Sequence, residues 1–487
     1  MPSTVGTSTD QWATCYGTNR KTFYANGLFW VFYSDGTNMV YRTSSDGVNW
    51  SSATTVRACA GGYMFAIWFD GTYVHYAYAN YGTGQTQYYR RGFISGSSIT
   101  WQAEQTVGTV TNCEHHTICT DSGGYPWIIY RCSAGIQVTK SSTNDGTWST
   151  AYGFPWTLTS YTSSAATLTP LTAGKMYATY VTAAGSVIKG KLWSGSSWGD
   201  EESISSVATP NIESYYGWCT TVAEGDDIHL VYTKVTSYDL VYIKRTYGTG
   251  WGSEVTVQSA TTSTTLPVLA KQTNNDLICF WAGSPTADHI YYKKRVSGTW
   301  DTNPTDWIDE STDHLKANSK LTCYYTEYSY IGLAYLTKTA SPYNVRFAFL
   351  SLGVAVSVSD SAVGGESVTR PERQVSLSDQ ATGQEAFSRP ERTMTLTEPA
   401  SGLETILKMR DVAAILDSAS GTETILKARN LVVFDSAVGA ETVIKEIVGE
   451  ILKLVTDSAT GSEIIQRLER NMVISDFASG IEQIVKT

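Results

Sequence analysis

Charge is scarce in this chain. Only 16% of its 487 residues are Asp, Glu, Lys or Arg, against roughly a quarter in ordinary globular proteins. Acids outnumber bases 45 to 35, for a formal net charge of −10. No basic face is therefore expected, which argues against nucleic acid as a partner. No apolar run reaches the ~20 residues of a membrane-spanning helix. The opening stretch, MPSTVGTSTDQ, holds neither a charged leader nor an apolar core, so no signal peptide is expected. That predicts work inside the cell or release by another route, such as assembly into a particle freed on lysis. The eight cysteines form no C-x-x-C pair, and their spacing fits no zinc site. Their neighbours, as in LICFW (277–281) and LTCYY (321–325), predict buried free thiols.

A second shortage divides the chain. Of 59 aromatic residues, only Phe387, Phe434 and Phe477 lie beyond residue 353. The last Trp is Trp307, the last Tyr is Tyr343 and the last Cys is Cys323. From residue 354 onward there are 20 acids and 13 bases, a denser charge than before it. Two domains are expected, 1–353 and 354–487, since one core rarely serves so long a chain.

What is abundant in the first domain is repetition. About every fifty residues an apolar-aromatic strand is followed by a turn, a second strand mixing Tyr with basic residues, and a closing Trp. The first strands include LFWVFY (28–33), YVHYAY (73–78), WIIY (127–130) and IHLVY (228–232). The closing tryptophans are Trp50, Trp101, Trp148, Trp198, Trp251 and Trp300, spaced 51, 47, 50, 53 and 49. β-Branched and aromatic strands between Gly/Asn/Asp/Ser turns at this period predict an all-β domain, a seven-bladed β-propeller. The seventh unit lacks its closing segment. The first 21 residues are expected to supply its outer strand and remove the exposed edges.

Two turns, TSSDGVNW (43–50) and STNDGTW (142–148), resemble the Asp-box of sialidase-like propellers. Here Asp and Gly are adjacent, the ordinary hairpin dipeptide. The resemblance implies a structural hairpin at the blade periphery, so Asp46 and Asp145 are expected to hold turns rather than to catalyse.

The second domain repeats [DE]-x-A-x-G-x-E seven times, with glycines at 364, 383, 402, 421, 439, 461 and 480. Each glycine is expected in a left-handed turn. The flanking Val/Thr/Ser alternation favours strand over a competing helical reading of LETILKMRDVAAIL (403–416), which gives a hairpin array or a solenoid. The repeats resemble those of virion tail-fibre or surface proteins. One Asp and one Glu per repeat is sparse for calcium.

Chemistry is harder to find. NCEHHTIC (112–119) gathers Cys113, Glu114, His115, His116 and Cys119, but adjacent residues on a strand face opposite ways. The sequence favours a loop entering the innermost strand of blade three, with no metal and no cofactor. The sialidase resemblance implies an arginine cluster, yet most arginines, among them Arg20, Arg42, Arg90 and Arg346, are scattered, mainly on second strands. Glycoside hydrolysis needs two carboxylates across a cleft, and sequence alone does not pair candidates such as Glu114, Glu213 and Asp313. The ligand-binding candidates are Tyr63, His115, His116, Tyr161, Tyr215, Tyr216, Asp313 and His314, on loops entering the innermost strands. Flat rings with a few polar groups suit sugar. The expectation is a non-enzymatic, glycan- or receptor-binding propeller on an oligomerising repeat stalk, a virion or extracellular surface component. The alternatives are a glycoside hydrolase or sialidase-like enzyme and a purely structural shell protein.

Overall fold

The computed structural model describes residues 2–351 apart from 149–152, 163–165, 183–186, 206–218, 235–236, 262–265, 317–320 and 327–329. Beyond residue 354 it describes the strands alone, as backbone. The chain divides into two units, Met1–Leu350 and Ser351–Thr487.

The first unit is a seven-bladed propeller of antiparallel sheets. Its innermost strands are Thr22–Ala25, Phe65–Phe69, Glu114–Thr120, Thr167–Pro170, Cys219–Glu224, Val268–Lys271 and Thr322–Cys323, in blades 1 to 7. The strands that periodicity picks out first are second from the axis. Leu28–Ser34, for example, lies between Thr22–Ala25 and Asn38–Ser44. We call the face where innermost strands begin the upper face and the face where they end the lower face.

The missing outer strand of blade 7 is Ser3–Ser8. It runs antiparallel to Tyr343–Ser351, with Ser3 opposite Phe347 and Ser8 opposite Tyr343. Asp46 holds the turn beside it. Its Oδ1 accepts the amides of Val48 and Asn49, each at 2.8 Å, and Oδ2 accepts Asn49 Nδ2 at 2.8 Å. Those bonds hold the carboxyl below its usual range.

The fifty-residue spacing of Trp has a mechanical cause. Each of five closing tryptophans meets an aromatic ring of the preceding blade edge to face. Trp50 meets Phe347 of blade 7 at 5.2 Å between centroids. Trp148 meets Tyr89 at 5.2 Å, Trp198 meets Trp127 at 6.3 Å, Trp251 meets Tyr177 at 5.8 Å and Trp300 meets Tyr242 at 5.4 Å. In three blades, that of Trp101 among them, a glutamate three residues past the closing Trp adds a polar tie. Glu104, Glu201 and Glu254 accept the hydroxyls of Tyr76, Tyr180 and Tyr232 and pair with Arg57, Lys189 and Lys234.

After Ser8 the chain turns inward and plugs the upper end of the axis. Asp10 Oδ2 accepts the amide of Gly62 at 2.7 Å. Asn19, in the short turn Gly17–Asn19, donates to the carbonyl of His116. Gly17 has no room for a side chain, because a Cβ would meet Val268 Cγ1 at 2.5 Å. Arg20, buried and with φ of 49°, spans three blades. Its Nη1 donates to the carbonyls of Leu269 (2.8 Å) and Tyr324 (3.1 Å), and its Nη2 to that of Thr221 (3.0 Å). Lys21, fully buried, donates from Nζ to the carbonyl of Gly62 at 2.5 Å and lies 4.4 Å from the Phe65 ring centroid. Burial pushes its pKa down to about 7.

In the second unit, strands from Ala355–Asp360 to Ile481–Val485 alternate between two seven-stranded sheets. All pairings are parallel and one repeat apart, such as Glu366 opposite Glu385 and Glu385 opposite Glu404. Hairpins pair antiparallel, and these pairings are parallel. Gly364, Gly383 and Gly402, expected in turns, begin strands, while Gly421, Gly439, Gly461 and Gly480 lie outside the described residues. Both halves of the helical alternative are strands, Gly402–Ile406 and Val412–Asp417.

Two predictions follow from the packing of the ring. Trp251→Ala should cost about 3 kcal/mol of stability, and Trp251→Phe less than half of that, measured by urea denaturation of the propeller. Lys21 binds its proton less tightly folded than unfolded, so the unfolded chain holds more protons between pH 7 and 10.5. Native stability should therefore rise with pH across that window relative to Lys21→Met, by up to about 1.4 kcal/mol per pH unit. Parallel curves for the two proteins would refute it.

Candidate binding site on the propeller axis

With the upper end plugged, the axis opens downward into a cavity of about 230 Å³. It is lined by Arg20, Thr22, Phe23, Trp68, Phe69, Asp70, Thr120, Tyr324, Tyr325 and Thr326, from blades 1, 2, 3 and 7 and the plug. Each wall follows from strand geometry. Phe23 lies in the innermost strand of blade 1, and Trp68 and Phe69 end that of blade 2.

The aromatic walls are fixed. Trp68 donates from Nε1 to Thr120 Oγ1 at 3.1 Å and meets Tyr325 edge on, at 5.0 Å between centroids. Tyr325 spans toward blade 5, where its hydroxyl accepts the amide of Ala223 at 2.8 Å. Burial pushes that phenol's pKa up, so it stays protonated. Phe23 and Phe69 stack at 4.8 Å. Arg20 lies 5.3 Å from the Tyr325 centroid, and among the described residues it has no carboxylate partner.

Among the described residues Asp70 is the one carboxylate in the lining. Its Oδ1 accepts the amides of Thr72 (2.8 Å) and Tyr73 (2.6 Å), and its Oδ2 lies 3.0 Å from His75 Nε2. Burial would raise its pKa, but these bonds outweigh burial and hold it below the usual range. His75 is fully buried, with Nδ1 2.8 Å from the Tyr89 hydroxyl. Burial lowers its pKa despite the Asp70 carboxylate. Blade 5 repeats the arrangement as Glu224–His229–Tyr242 away from the cavity. The motif is thus a device of blade construction that in blade 2 also presents Asp70 to the axis.

Those residues singled out from sequence that the structure describes belong to the upper face. Tyr63, half-buried, is in the turn Gly62–Met64 beside the plug, and burial raises its hydroxyl pKa. His115 and His116 are not in a loop. They lie inside the innermost strand Glu114–Thr120, where the register breaks between Glu114 and Thr117. His116 is buried, stacks on Tyr130 at 6.0 Å and lies 3.3 Å from Cys113 Sγ. The side chain of His115 lies outside the description. Glu114 pairs instead with Arg131, and Cys119 with Met176 at 3.6 Å. No group of three or more metal-ligating side chains gathers among the described residues. All eight cysteines are free and buried.

Tyr161 is half-buried against the core shared by blades 4 and 5. Tyr215 and Tyr216 lie outside the described residues. Asp313 accepts Asn344 Nδ2 at 3.1 Å, and His314 Nδ1 lies 2.8 Å from Asp288 Oδ2. That pair ties blade 6 to blade 7. Sequence reasoning passed over Arg20, Trp68 and Tyr325. Arg20 was counted among scattered arginines, and its place is revealed only once TFYA (22–25) is recognised as an innermost strand.

No known family profile matches the chain, and no curated protein matches it by sequence. Solved structures do share the ring. The lectin BP39L of Burkholderia pseudomallei superposes with a TM-score of 0.50 at 12% identity, over 70% of this chain and 94% of that one. The Aleuria aurantia lectin AAL, in complex with Fucα1-6GlcNAc, gives 0.38 at 10% identity, over 56% and 90%. The endosialidase of phage phi92 gives 0.38 at 10% identity, over 72% and 69%. At these identities the likeness shows the propeller fold and nothing finer.

Proposed function

We propose that the propeller is a non-enzymatic recognition module that takes a saccharide ring in its lower axial cavity. The observation that carries this reading is the composition of the cavity. Rigid aromatic planes, Trp68, Tyr325, Phe23 and Phe69, stand around a few fixed polar groups, Arg20, Asp70 and Thr120. Aromatic faces stack on sugar C–H groups while convergent polar groups take hydroxyls. The volume, about 230 Å³, is below the ~300–1,000 Å³ of drug-sized sites and suits a single ring. The ring it shares with a lectin supports the same reading.

The described lining gives the hydrolytic alternative less support. Paired carboxylates are needed for glycoside hydrolysis, one of them held protonated as an acid. Among the described residues the lining supplies Asp70, and its bonds favour the ionised form. We further propose that the repeat unit is an oligomerising stalk and that the whole is a virion tail-fibre, spike or extracellular surface component. That proposal is supported by the tandem pattern of the repeats. Its partners are then a glycan or cell-surface receptor and further copies of the chain.

Trp68→Ala should weaken glycan-array binding about tenfold or more while the melting temperature stays within a few degrees. Release of new sugar ends by the native protein from a bound polysaccharide would sink the non-enzymatic reading. Unchanged glycan binding by Trp68→Ala would remove the axial cavity from it.

A further inference from the structure

Away from the axis, the lower face carries two side-chain groups built alike. In blade 3, Tyr125 stands 38% exposed on the turn between Glu114–Thr120 and Pro126–Cys132. Lys140 Nζ lies 5.3 Å from its ring centroid and 2.9 Å from Asp121 Oδ2. At blades 4 and 5, Tyr247 is 48% exposed on the turn after Leu240–Thr246. Lys175 Nζ lies 5.3 Å from that ring centroid and 2.8 Å from Asp226 Oδ2.

Single exposed aromatics are ordinary. These two differ in being fixed in the same way. The amide of Tyr125 donates to Asp121 Oδ1 at 3.0 Å, and that of Tyr247 to Asp227 Oδ1 at 2.9 Å. Each ring is edged by an ammonium that a carboxylate already holds in place. The turns beneath them are also joined. The amide of Gly174 donates to Ser122 Oγ at 2.7 Å, linking blades 3 and 4. The amide and hydroxyl of Thr172 donate to Asp226 Oδ1 at 2.9 and 2.7 Å, linking blades 4 and 5. The arc starts next to Thr120, which lines the axial cavity.

We infer that Tyr125 and Tyr247 are two further saccharide platforms, so that the lower face binds a polysaccharide chain rather than one sugar. This rests on the axial cavity being a sugar site. A rigid phenol ring offers a stacking face at low entropic cost, and the flanking Lys–Asp pair offers a donor and an acceptor to hydroxyls. Weak sites on one rigid rim add up for a polymer, because its second contact is intramolecular. A free monosaccharide gains nothing from them.

The test is affinity electrophoresis through gels loaded with xylan, pectin, alginate or dextran, followed by competition with xylose, galacturonate, mannuronate or glucose. Tyr125→Ala/Tyr247→Ala is compared with Trp68→Ala and with the conservative Tyr125→Phe/Tyr247→Phe. For the polysaccharide that retards the native chain most, the double alanine variant should lose about tenfold in affinity, and the phenylalanine pair less than about threefold. Its inhibition by the monosaccharide should stay within about twofold of native, because the cavity is intact. Native-like retardation of the double alanine variant, with Trp68→Ala impaired, overturns the platforms and leaves the cavity reading standing. No retardation of the native chain by any of the four polysaccharides overturns both.

Discussion

A ring of separate sheets closes only if its last blade is complete, and here the completing strand comes from the N-terminal end of the ring. Ser3–Ser8 does more than fill the gap in blade 7. Ser3 Oγ donates to the carbonyl of Gly47 at 2.6 Å and accepts Trp50 Nε1 at 2.9 Å. A side chain at Gly47 would strike the Phe349 ring at 2.5 Å, and its φ of 70° suits glycine. The Asp46 turn, the first closing tryptophan and the borrowed strand therefore meet at one seam between blades 7 and 1. The motif that looks catalytic in isolation is the fastener of the ring.

The same N-terminal segment decides where a ligand has room. Burying two adjacent cations is costly unless their donors are satisfied. Arg20 meets that demand with carbonyls of blades 5, 6 and 7, and Lys21 with the carbonyl of Gly62. Carbonyls at the axis point inward from several blades, so a guanidinium is well matched to join them. The plug that results fills the upper end and leaves the lower end hollow. The site is thus a by-product of how the ring is fastened.

The legible parts of this molecule are those with strong periodicity. Leu28–Ser34 and Leu277–Ala282 are long, apolar and flanked by turns, so they stand out. Innermost strands such as Thr167–Pro170 and Thr322–Cys323 are short and rich in threonine. They read as loop, which shifted the count of strands outward by one and hid the axial position of Arg20. Two adjacent histidines fit a regular strand poorly, so His115 and His116 read as loop; the register break between Glu114 and Thr117 accommodates them in the innermost strand of blade 3, on the face away from the cavity. Trp68 and Tyr325 could not be told from blade-packing aromatics, since Trp50 and Trp251 carry the same local signal. The glutamate three residues past the closing Trp takes its meaning only from the facing tyrosines Tyr76, Tyr180 and Tyr232.

The pairing of Ser3–Ser8 with Tyr343–Ser351 also sets an order on biosynthesis. Ser3–Ser8 finds its partner only after about 340 further residues have been made. At ≈ 5–20 residues per second that interval is roughly 17 to 70 seconds. Until then the nascent blades form an open arc with two unprotected ends, and the N-terminal segment has no axis to enter.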